Sequence, residues 1–445
     1  MMFTQAVLTL LTASAAVAAT IGNRYESSSL TTSSSVIARK IRKCQGSPPP
    51  TVYFPLNFRY GSDQKITTDL VIPGSNKTMP VCFDQGSETF WVLEQGAVYN
   101  WGSERLATPG PCNISAAPVY DYSGSPDATT APSDYFNAYG GFSKFVVGNA
   151  TVDDTMTFTS VAGQRSTIPG VRSALVNFIS VRLPDQSGQC KPTDDLTYDV
   201  GILGTAPYQN SSEGETQGPH IRQQLLEQGT IKAPVQSMWM DKRPEGIEDT
   251  YTGGAIFGGI DLSKFTGPLV KVRTFKNQDD STVGYNVAPP ALSFQGKKIK
   301  TDANTNSCFV DSGTRNDDLP IAYDDQEAFY KTTGLVESPM GYTSWPGECE
   351  TVPSNVTLDM RFPGKKNGTF VDIKVPLRNY VRWDSGEEGL CRLNVYLGDC
   401  TLAAPFSTAA FFAADDERGE VAFAQGGISE RGSEPTKESI VLRIP

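Results

Sequence analysis

Two segments of this 445-residue chain repeat one pattern, and the repeat limits the folds that the chain can adopt. One apolar run leads into Asp84-Gln85-Gly86-Ser87, and another leads into Asp311-Ser312-Gly313-Thr314. A segment containing glycine follows each of them, Gly201-Ile202-Leu203-Gly204 after the first and Val395-Tyr396-Leu397-Gly398 after the second. Because the signals come in the same order in both halves, we expect a duplicated β lobe.

Short runs rich in β-branched and aromatic residues fill most of the chain after Pro50. They recur between clusters of Gly, Pro, Asn and Asp, which is typical of β structure. The clearest runs span residues 51–58, 65–72, 142–147, 156–160, 269–275 and 371–376. The best helical period covers residues 220–228. The sequence therefore predicts an all-β fold with little helix.

Histidine is almost absent, since His220 is the only one in the sequence. A zinc site built on two histidines is thereby excluded, and a Ser-His-Asp or Cys-His mechanism would depend on that single residue. We interpret His220 as a residue of the helix face with no catalytic part. The formal net charge of −11 argues against nucleic acid and membrane partners, because phosphate binding needs a concentrated positive field. We therefore seek the chemistry among carboxylates, without a metal or another cofactor.

Two matched aspartates suit a carboxylate dyad. Carboxylates brought to about 4 Å at an effective dielectric of about 20 repel by roughly 4 kcal/mol, so that they share one proton. The ionised partner can take a proton from water while the protonated partner donates to a substrate carbonyl. The glycines of the two motifs let the loops approach each other, and the hydroxyls tune the carboxylates; these supporting residues are Gly86, Ser87, Gly313 and Thr314.

The first 50 residues differ in composition from the rest. Residues 1–19 contain a short apolar run ending in Ala16-Val17-Ala18, a small-residue cleavage pattern, which predicts a secretory signal peptide; a buried N-terminal helix is the alternative. Residues 20–50 are rich in Ser and Thr and carry a basic cluster, which predicts a removable leader that docks on an acidic cleft; a solvated linker is the alternative. Six glycosylation sequons agree with secretion, at Asn76, Asn113, Asn149, Asn210, Asn355 and Asn367.

Cysteine usage points to an oxidising compartment, because none of the cysteines forms a CxxC pair typical of a zinc knuckle. Sequence alone leaves their pairing open. The residues are Cys44, Cys82, Cys112, Cys190, Cys308, Cys349, Cys391 and Cys400.

Taken together, the motifs resemble those of the pepsin-like aspartic proteases, over nearly all of residues 51–430. Trp91 lies seven positions after Asp84, where the family has a tryptophan that supports the flap. Tyr139-Gly140-Gly141 is similar to the flap turn, one residue shorter than the usual Tyr-Gly-x-Gly. Further similar segments are residues 199–204, 253–261 and 397–399, and the closing strands around Phe411, Phe412 and Asp415.

The resemblance implies a bilobal, pepsin-like fold around a central cleft, with an N-terminal lobe over residues 51–252 and a C-terminal lobe over residues 253–445. It implies a secreted or vacuolar monomeric endopeptidase that binds polypeptides in extended form, and a leader that acts as an inhibitory prosegment. Its implied site residues are the catalytic Asp84 and Asp311, the bracing Ser312, the flap and substrate-binding Trp91, Tyr139 and Gly140, and the disulfide pair Cys349 and Cys391.

Besides the shorter flap turn, two features depart from the family pattern. The family usually has threonine or serine after each catalytic aspartate, where the hydroxyl braces the opposite loop; Ser312 fits this role, whereas Gln85 has a longer amide and no hydroxyl. The charged run Arg315 to Asp318 stands where the family tends to be apolar, and it predicts polar pockets nearby. An acid endopeptidase is our preferred interpretation, a catalytically impaired pepsin-like binding or inhibitor protein is the alternative, and an unrelated β-rich surface or carbohydrate-binding protein is a third.

Overall fold

The computed structural model describes residues 50–59, 65–103, 110–112, 118–140, 144–183, 199–207, 218–246, 249–275, 284–382 and 387–445. All of these residues belong to one compact unit, Pro48–Pro445. The predicted signal peptide and the predicted leader up to residue 49 lie outside the described residues. So do Cys44, Cys190, Gly141, Asn113 and Asn210.

Strands make up most of the described first half of the chain. They are β1 (Val52–Arg59), β2 (Thr67–Val71), β3 (Thr78–Asp84), β4 (Phe90–Ser103), β5 (Gly110–Cys112), β6 (Thr129–Tyr139), β7 (Lys144–Thr159), β8 (Arg165–Leu183), β9 (Gly201–Gly204), β10 (Val235–Met240) and β11 (Thr250–Phe257). Helix α1 (Ile221–Glu227) lies between β9 and β10, inside the predicted helical segment.

The second half consists of shorter strands. They are β12 (Ile260–Asp261), β13 (Thr266–Lys271), β14 (Tyr285–Val287), β15 (Ala291–Phe294), β16 (Lys297–Ile299), β17 (Cys308–Val310), β18 (Asp317–Leu319), β19 (Val336–Glu337), β20 (Thr343–Trp345), β21 (Thr357–Pro363), β22 (Phe370–Pro376), β23 (Val381–Arg382), β24 (Cys391–Leu393), β25 (Val395–Leu397), β26 (Thr401–Leu402), β27 (Ala410–Asp415), β28 (Glu420–Gln425) and β29 (Ile440–Val441). Two short helices, α2 (Gln326–Thr333) and α3 (Ala404–Ala409), accompany them. The prediction of a mostly β fold is confirmed.

The predicted strands differ from the observed ones in one instructive place. Two predicted runs, residues 142–147 and 156–160, overlap the two ends of the single 16-residue strand β7. The pairing of β7 with β8 shifts register around Gly148 and again after Asp154. Bulges of this kind bend a strand without ending it, and for this reason the gap in the apolar pattern did not mark a turn.

A 14-stranded sheet includes strands from both halves of the chain, in the order β13-β28-β27-β10-β11-β1-β2-β3-β9-β4-β8-β7-β6, with β5 on β4. Strand β11 pairs antiparallel with β1 along its whole length. The expected division between lobes, at residues 252 and 253, lies inside β11. Smaller sheets have the orders β14-β17-β26-β18-β25, β16-β15-β21-β22, β19-β20-β24-β23 and β12-β29.

The two aspartate loops have equivalent surroundings. Strand β3, which ends at Asp84, pairs parallel with β9. Strand β17, which precedes Asp311, pairs parallel with β26. Strand β4 after the first loop runs antiparallel to β9, and β18 after the second loop runs antiparallel to β26. The chain therefore builds the same local arrangement twice.

This equivalence corrects one sequence match. The segment Val395–Gly398, expected to correspond to Gly201–Gly204, instead supplies β25, which pairs with β18. The structural counterpart of β9 is β26, followed by Ala403 where Gly204 stands in the first half. Ala403 is completely buried. The position equivalent to Gly204 is filled by alanine, which is also small enough to pack closely there. The sequence match relied on a glycine and therefore selected Gly398.

Candidate active site

Each aspartate loop holds its carboxylate with the same pair of donors. The Gly86 N–H donates to Asp84 Oδ1 at 2.8 Å, and the Ser87 hydroxyl donates to Oδ2 at 2.5 Å. In the second loop the Gly313 N–H donates to Asp311 Oδ1 at 2.8 Å, and the Thr314 hydroxyl donates to Oδ2 at 2.6 Å. Hydrogen bonds of this kind fix both carboxylates in position.

Each carboxylate lies against the glycine of the opposite loop. An ideal Cβ built on Gly86 would lie 2.6 Å from Asp311 Cγ, and one built on Gly313 would lie 2.6 Å from Asp84 Cγ. Each glycine therefore packs against the carboxylate of the opposite loop, where no larger residue fits. The structure brings together Asp84, Asp311 and the supporting Gly86, Ser87, Ser312, Gly313 and Thr314.

The surroundings of Asp311 change the pKa of its carboxyl group. Burial, followed by the negative charge of Asp84, raises the pKa of Asp311, and the hydroxyl of Thr314 lowers it by less. The raised pKa favours the protonated form of Asp311. A protonated and an ionised carboxyl side by side can act as an acid and a base in one step.

Only one of the two cross-loop braces is made. Ser312 Oγ accepts from the Gln85 N–H at 3.0 Å and donates to the Phe83 carbonyl at 2.7 Å, which ties the second loop to the first. Within the described part of the chain, the side-chain amide of Gln85 has no hydrogen-bond partner at either its oxygen or its nitrogen. Gln85 is completely buried. The departure seen in the sequence therefore leaves a buried, unpartnered amide next to Asp84.

Two of the expected flap residues, Trp91 and Tyr139, are in direct contact. Tyr139 ends β6, and Gly140 follows it with a φ of 53°, a left-handed conformation that glycine adopts readily. The Trp91 Nε1–H donates to the Tyr139 hydroxyl at 2.8 Å, and the Asn137 side-chain amide donates to it at 3.2 Å. Trp91 is fully buried on β4. The tyrosine at the end of the hairpin is thus anchored to the strand that follows the Asp84 loop.

The charged run after Thr314 is partly structural. Asp317 is fully buried, and its Oδ1 accepts from the backbone N–H groups of Ala403 at 2.7 Å and Phe406 at 3.3 Å. These donors lie at the beginning of α3. The side chain of Asp317 therefore holds the helix against β18, and the polar pockets expected near this run stay a prediction.

An ion cluster that the sequence analysis missed lies next to the flap. Lys65 and Lys144 both donate to Asp199, the first at 2.8 Å to Oδ2. Lys144 also lies over the Tyr139 ring, 4.7 Å from its centroid. The three charged residues are far apart in sequence, so spacing gave no signal; the available hint was a lone Asp199 directly before an apolar strand.

Two disulfide bonds join described residues. Cys349 and Cys391 are bonded, as the resemblance implied. Cys308 and Cys400 form a second disulfide bond, which joins the first residue of β17 to the residue before β26. Cys82, on β3, is a free and buried thiol. The second disulfide stabilises the surroundings of Asp311.

Comparison with known proteins identifies the family. The family model for eukaryotic aspartyl proteases matches residues 66–425, which include both aspartate loops and the flap. The chain belongs to the eukaryotic aspartyl proteases. In this family the mostly β architecture is the pepsin-like fold, as the resemblance implied.

Curated members of the family are distant relatives of this protease-family chain. It is 23% identical over 312 residues to the probable aspartic-type endopeptidase CTSD of Arthroderma benhamiae, covering 69% of this chain and 51% of that protein. It is 23% identical over 339 residues to candidapepsin of Candida tropicalis, covering 75% and 72% respectively. Candidapepsin-1 of Candida albicans is 25% identical over 232 residues, 51% of this chain and 53% of the relative. The chain thus spans about half the length of the CTSD relative.

No helix among the described residues is long and apolar enough to cross a membrane.

Proposed function

We propose that this chain is a secreted aspartic endopeptidase that hydrolyses peptide bonds at acid pH through Asp84 and Asp311. The observation that carries the proposal is the contact of each loop glycine with the carboxylate of the opposite loop, at 2.6 Å from an ideal Cβ to Cγ in both directions. Such reciprocal packing holds two carboxylates close together where strands β3 and β17 end. No histidine is needed for the reaction that follows.

The proposed reaction uses one water molecule and both carboxyl groups. Asp84, as the ionised partner, accepts a proton from water while the oxygen attacks the peptide carbonyl carbon. Asp311 donates its proton to the carbonyl oxygen, so that a neutral tetrahedral diol forms. Proton transfer to the amide nitrogen then allows the C–N bond to break, and the dyad returns to its singly protonated state.

The proposed substrate is a polypeptide bound as an extended strand between lobes of residues 51–252 and 253–445. An extended peptide can hydrogen-bond through its backbone and place alternate side chains in pockets. The flap hairpin of β6 and β7, with Tyr139 and Gly140 at its end and Trp91 as its support, would close over the peptide. Closure excludes water and orients the scissile bond.

Secretion is proposed on the composition of the first 50 residues and on the glycosylation sequons. Within the described residues, all four sequon asparagines are exposed: Asn76, Asn149, Asn355 and Asn367. One relative bears the name secreted aspartic protease 5, from Candida albicans. We propose a glycosylated monomer that is released from its leader. Treatment of the secreted protein with an N-glycosidase should lower its apparent mass.

The proposed activity is tested on protein from which the leader has been removed. We expect cleavage of denatured haemoglobin between about pH 3 and 5, inhibition by a statine-type compound, and a loss of at least about 10³-fold in kcat for Asp84→Asn, because the base is removed. Asp324→Asn, at an exposed carboxylate in the second half of the chain, serves as the matched control and should keep full activity.

The alternative function gives a different result in the same assay. A catalytically impaired binding protein would bind peptides or the statine-type compound without cleaving haemoglobin at any pH. The buried amide of Gln85 is the feature that favours this alternative, since the cross-loop brace it interrupts helps to position the dyad. Absent cleavage by the processed, folded protein would decide against the endopeptidase.

A further inference from the structure

The buried ion cluster consists of Lys65, Lys144 and Asp199. Lys65 Nζ lies 2.8 Å from Asp199 Oδ2 and 3.1 Å from Oδ1, and Lys144 Nζ donates to the same Oδ2. The carboxylate of Asp199 and the ammonium of Lys144 are almost fully buried, with 4% and 10% of their side chains exposed. Two ammonium groups and one carboxylate leave a surplus of one positive charge in the protein interior.

Three segments of the N-terminal half of the chain bring this surplus charge toward the dyad. Thr67 pairs with Cys82 in the antiparallel ladder of β2 and β3, and the Phe83 N–H donates to the Ile66 carbonyl at 2.9 Å. In this register Ile66 lies opposite Phe83, and the next residue of each strand places Lys65 opposite Asp84. Asp199 precedes β9, the parallel neighbour of β3, and Lys144 begins β7 directly after the flap turn. The cluster thus joins the flap to the strands that carry Asp84.

The charges of the cluster and of the dyad balance. A dyad that holds one proton has a charge of −1, which cancels the surplus of +1. Lys65 and Asp84 attract each other, and Lys65 opposes the effects of burial and of Asp84 that raise the pKa of Asp311. Since an unbalanced charge in a buried region is costly, the singly protonated dyad is the state that this cluster stabilises.

Other titratable groups around the cluster stay neutral. Burial raises the pKa of the Cys82 thiol and of the Tyr139 and Tyr135 phenols, so none of them ionises at acid or neutral pH. Burial raises the pKa of Asp199, but attraction to Lys144 and Lys65 outweighs burial and lowers the pKa to about 2. The carboxylate therefore remains charged at the pH proposed for the reaction. Burial lowers the pKa of Lys144, and the charge of Asp199 opposes this effect. The surplus charge is therefore that of the acid range, in which both lysines are protonated.

We propose that Lys65, held by Asp199 and Lys144, is a positioning residue that supplies the counter-charge of the singly protonated dyad and thereby sets the pH range of activity. The inference rests on the proposed function for its enzymatic readout. It adds a residue that acts through Asp84 and Asp311.

The test compares variants that change the charge of the cluster in opposite directions. Lys65→Met leaves a neutral Asp199–Lys144 pair, and both limbs of the pH profile of kcat/KM should move up by about 0.5–1 pH unit. Asp199→Asn leaves two positive charges, and both limbs should move down by a similar amount. Lys65→Arg keeps the charge and should keep the profile. Lys300→Met, at an exposed lysine paired with Asp325, is the control and should not move it.

A structural role alone would not move the limbs in opposite directions; it would lower kcat/KM at every pH. The pair Lys65→Met and Lys65→Arg suffices if Asp199→Asn does not fold, since part of the Lys65 side chain is exposed. The proposal would be overturned by equal pH profiles of kcat/KM for Lys65→Met and Lys65→Arg. It would also be overturned by shifts in the same direction for Lys65→Met and Asp199→Asn.

A second readout separates this inference from the proposed function. The carbonyl stretch of the protonated carboxyl group, assigned by its loss in Asp311→Asn, can be followed by infrared difference spectroscopy as pH is raised. Its midpoint should rise in Lys65→Met and stay constant in Lys65→Arg, whether or not the protein cleaves peptides. If the parent protein is inactive but shows these midpoints, the proposed function is wrong and the role of Lys65 as counter-charge stands. If the enzyme is active but the midpoints do not change, the role of Lys65 is wrong.

Discussion

At the scale of single residues, Gln85 is where this chain departs most from its family. The opposite residue, Ser312, makes two hydrogen bonds across the loops, whereas both polar atoms of the Gln85 amide lack partners among the described residues. A buried polar group without a partner costs about 1–3 kcal/mol of folding free energy. The site therefore carries a destabilising group that a residue with a hydroxyl would remove.

We expect Gln85→Thr to stabilise the protein by about 1–2 kcal/mol, because it removes the unpartnered amide and offers a hydroxyl to the second loop. The measurement is the free energy of unfolding in urea at pH 4.5. Gln85→Val has the shape of threonine without its hydroxyl and isolates the contribution of the new hydrogen bond. A threonine variant no more stable than the valine variant would show that no second brace forms.

At the scale of elements, the short helix α3 depends on a buried carboxyl from another strand. Asp317 on β18 accepts from two backbone N–H groups at the beginning of α3, at Ala403 and Phe406. Burial raises the pKa of Asp317 to about 7, against the effect of these donors, which favour the charged form. The helix is consequently held by a carboxyl that is neutral at acid pH.

The sign of the resulting pH dependence follows from this raised pKa. The folded protein binds the proton of Asp317 more tightly than the unfolded chain, so its contribution to stability is full at low pH and falls as pH rises from about 4 to about 7. We expect Asp317→Asn to match the parent at pH 4 and to exceed it by about 1–4 kcal/mol at pH 7.5. Urea unfolding at the two pH values measures this.

Asp324→Asn, at an exposed carboxyl of the same half, controls for the general effect of removing a negative charge. It should change stability little at either pH. If Asp317→Asn is destabilising at both pH values, the buried carboxyl contributes through its hydrogen bonds as an anion, and the assignment of a neutral Asp317 is wrong.

At the scale of the whole molecule, buried titratable groups favour folding in acid. Burial raises the pKa of Asp69 to about 6, and burial with the charge of Asp399 raises the pKa of Asp318 to about 6. Like Asp317, these groups lose their contribution as pH rises from about 4 toward 7. One group acts in the opposite sense: burial and the charge of Arg222 lower the pKa of His220 to about 4, so its contribution is lost as pH falls from about 6.5 to 4.

Burial also raises the pKa of Asp311, so four carboxyl groups against one imidazole give a net loss of stability between acid and neutral pH. We expect the melting temperature to be highest near pH 4–5 and lower at pH 7.5, at constant ionic strength. Circular dichroism at intervals from pH 3 to 8 measures the curve. A melting temperature that is flat or that rises toward pH 8 would contradict this balance.

His220 shows how much of a local role the sequence conveys. Sequence periodicity placed it on a helix face, and the structure places it at the beginning of α1, where Nδ1 accepts from the Gln223 N–H at 3.1 Å. Nε2 lies 2.9 Å from the Ala206 carbonyl oxygen. The periodicity located the helix correctly, but which residue caps it depends on the chain that packs against its end.

The mostly β fold, the helix near residue 221 and the two aspartate motifs were determined by sequence alone, because apolar alternation and the residues of tight turns are local properties of the chain. The disulfide of Cys308 and Cys400, the true partner strand β26, and the cluster of Lys65, Lys144 and Asp199 depended on tertiary structure. These features join residues that are distant in sequence. Their pairing is decided by which strands lie side by side and by the cost of burying a charge without a partner, and neither is written in residue spacing.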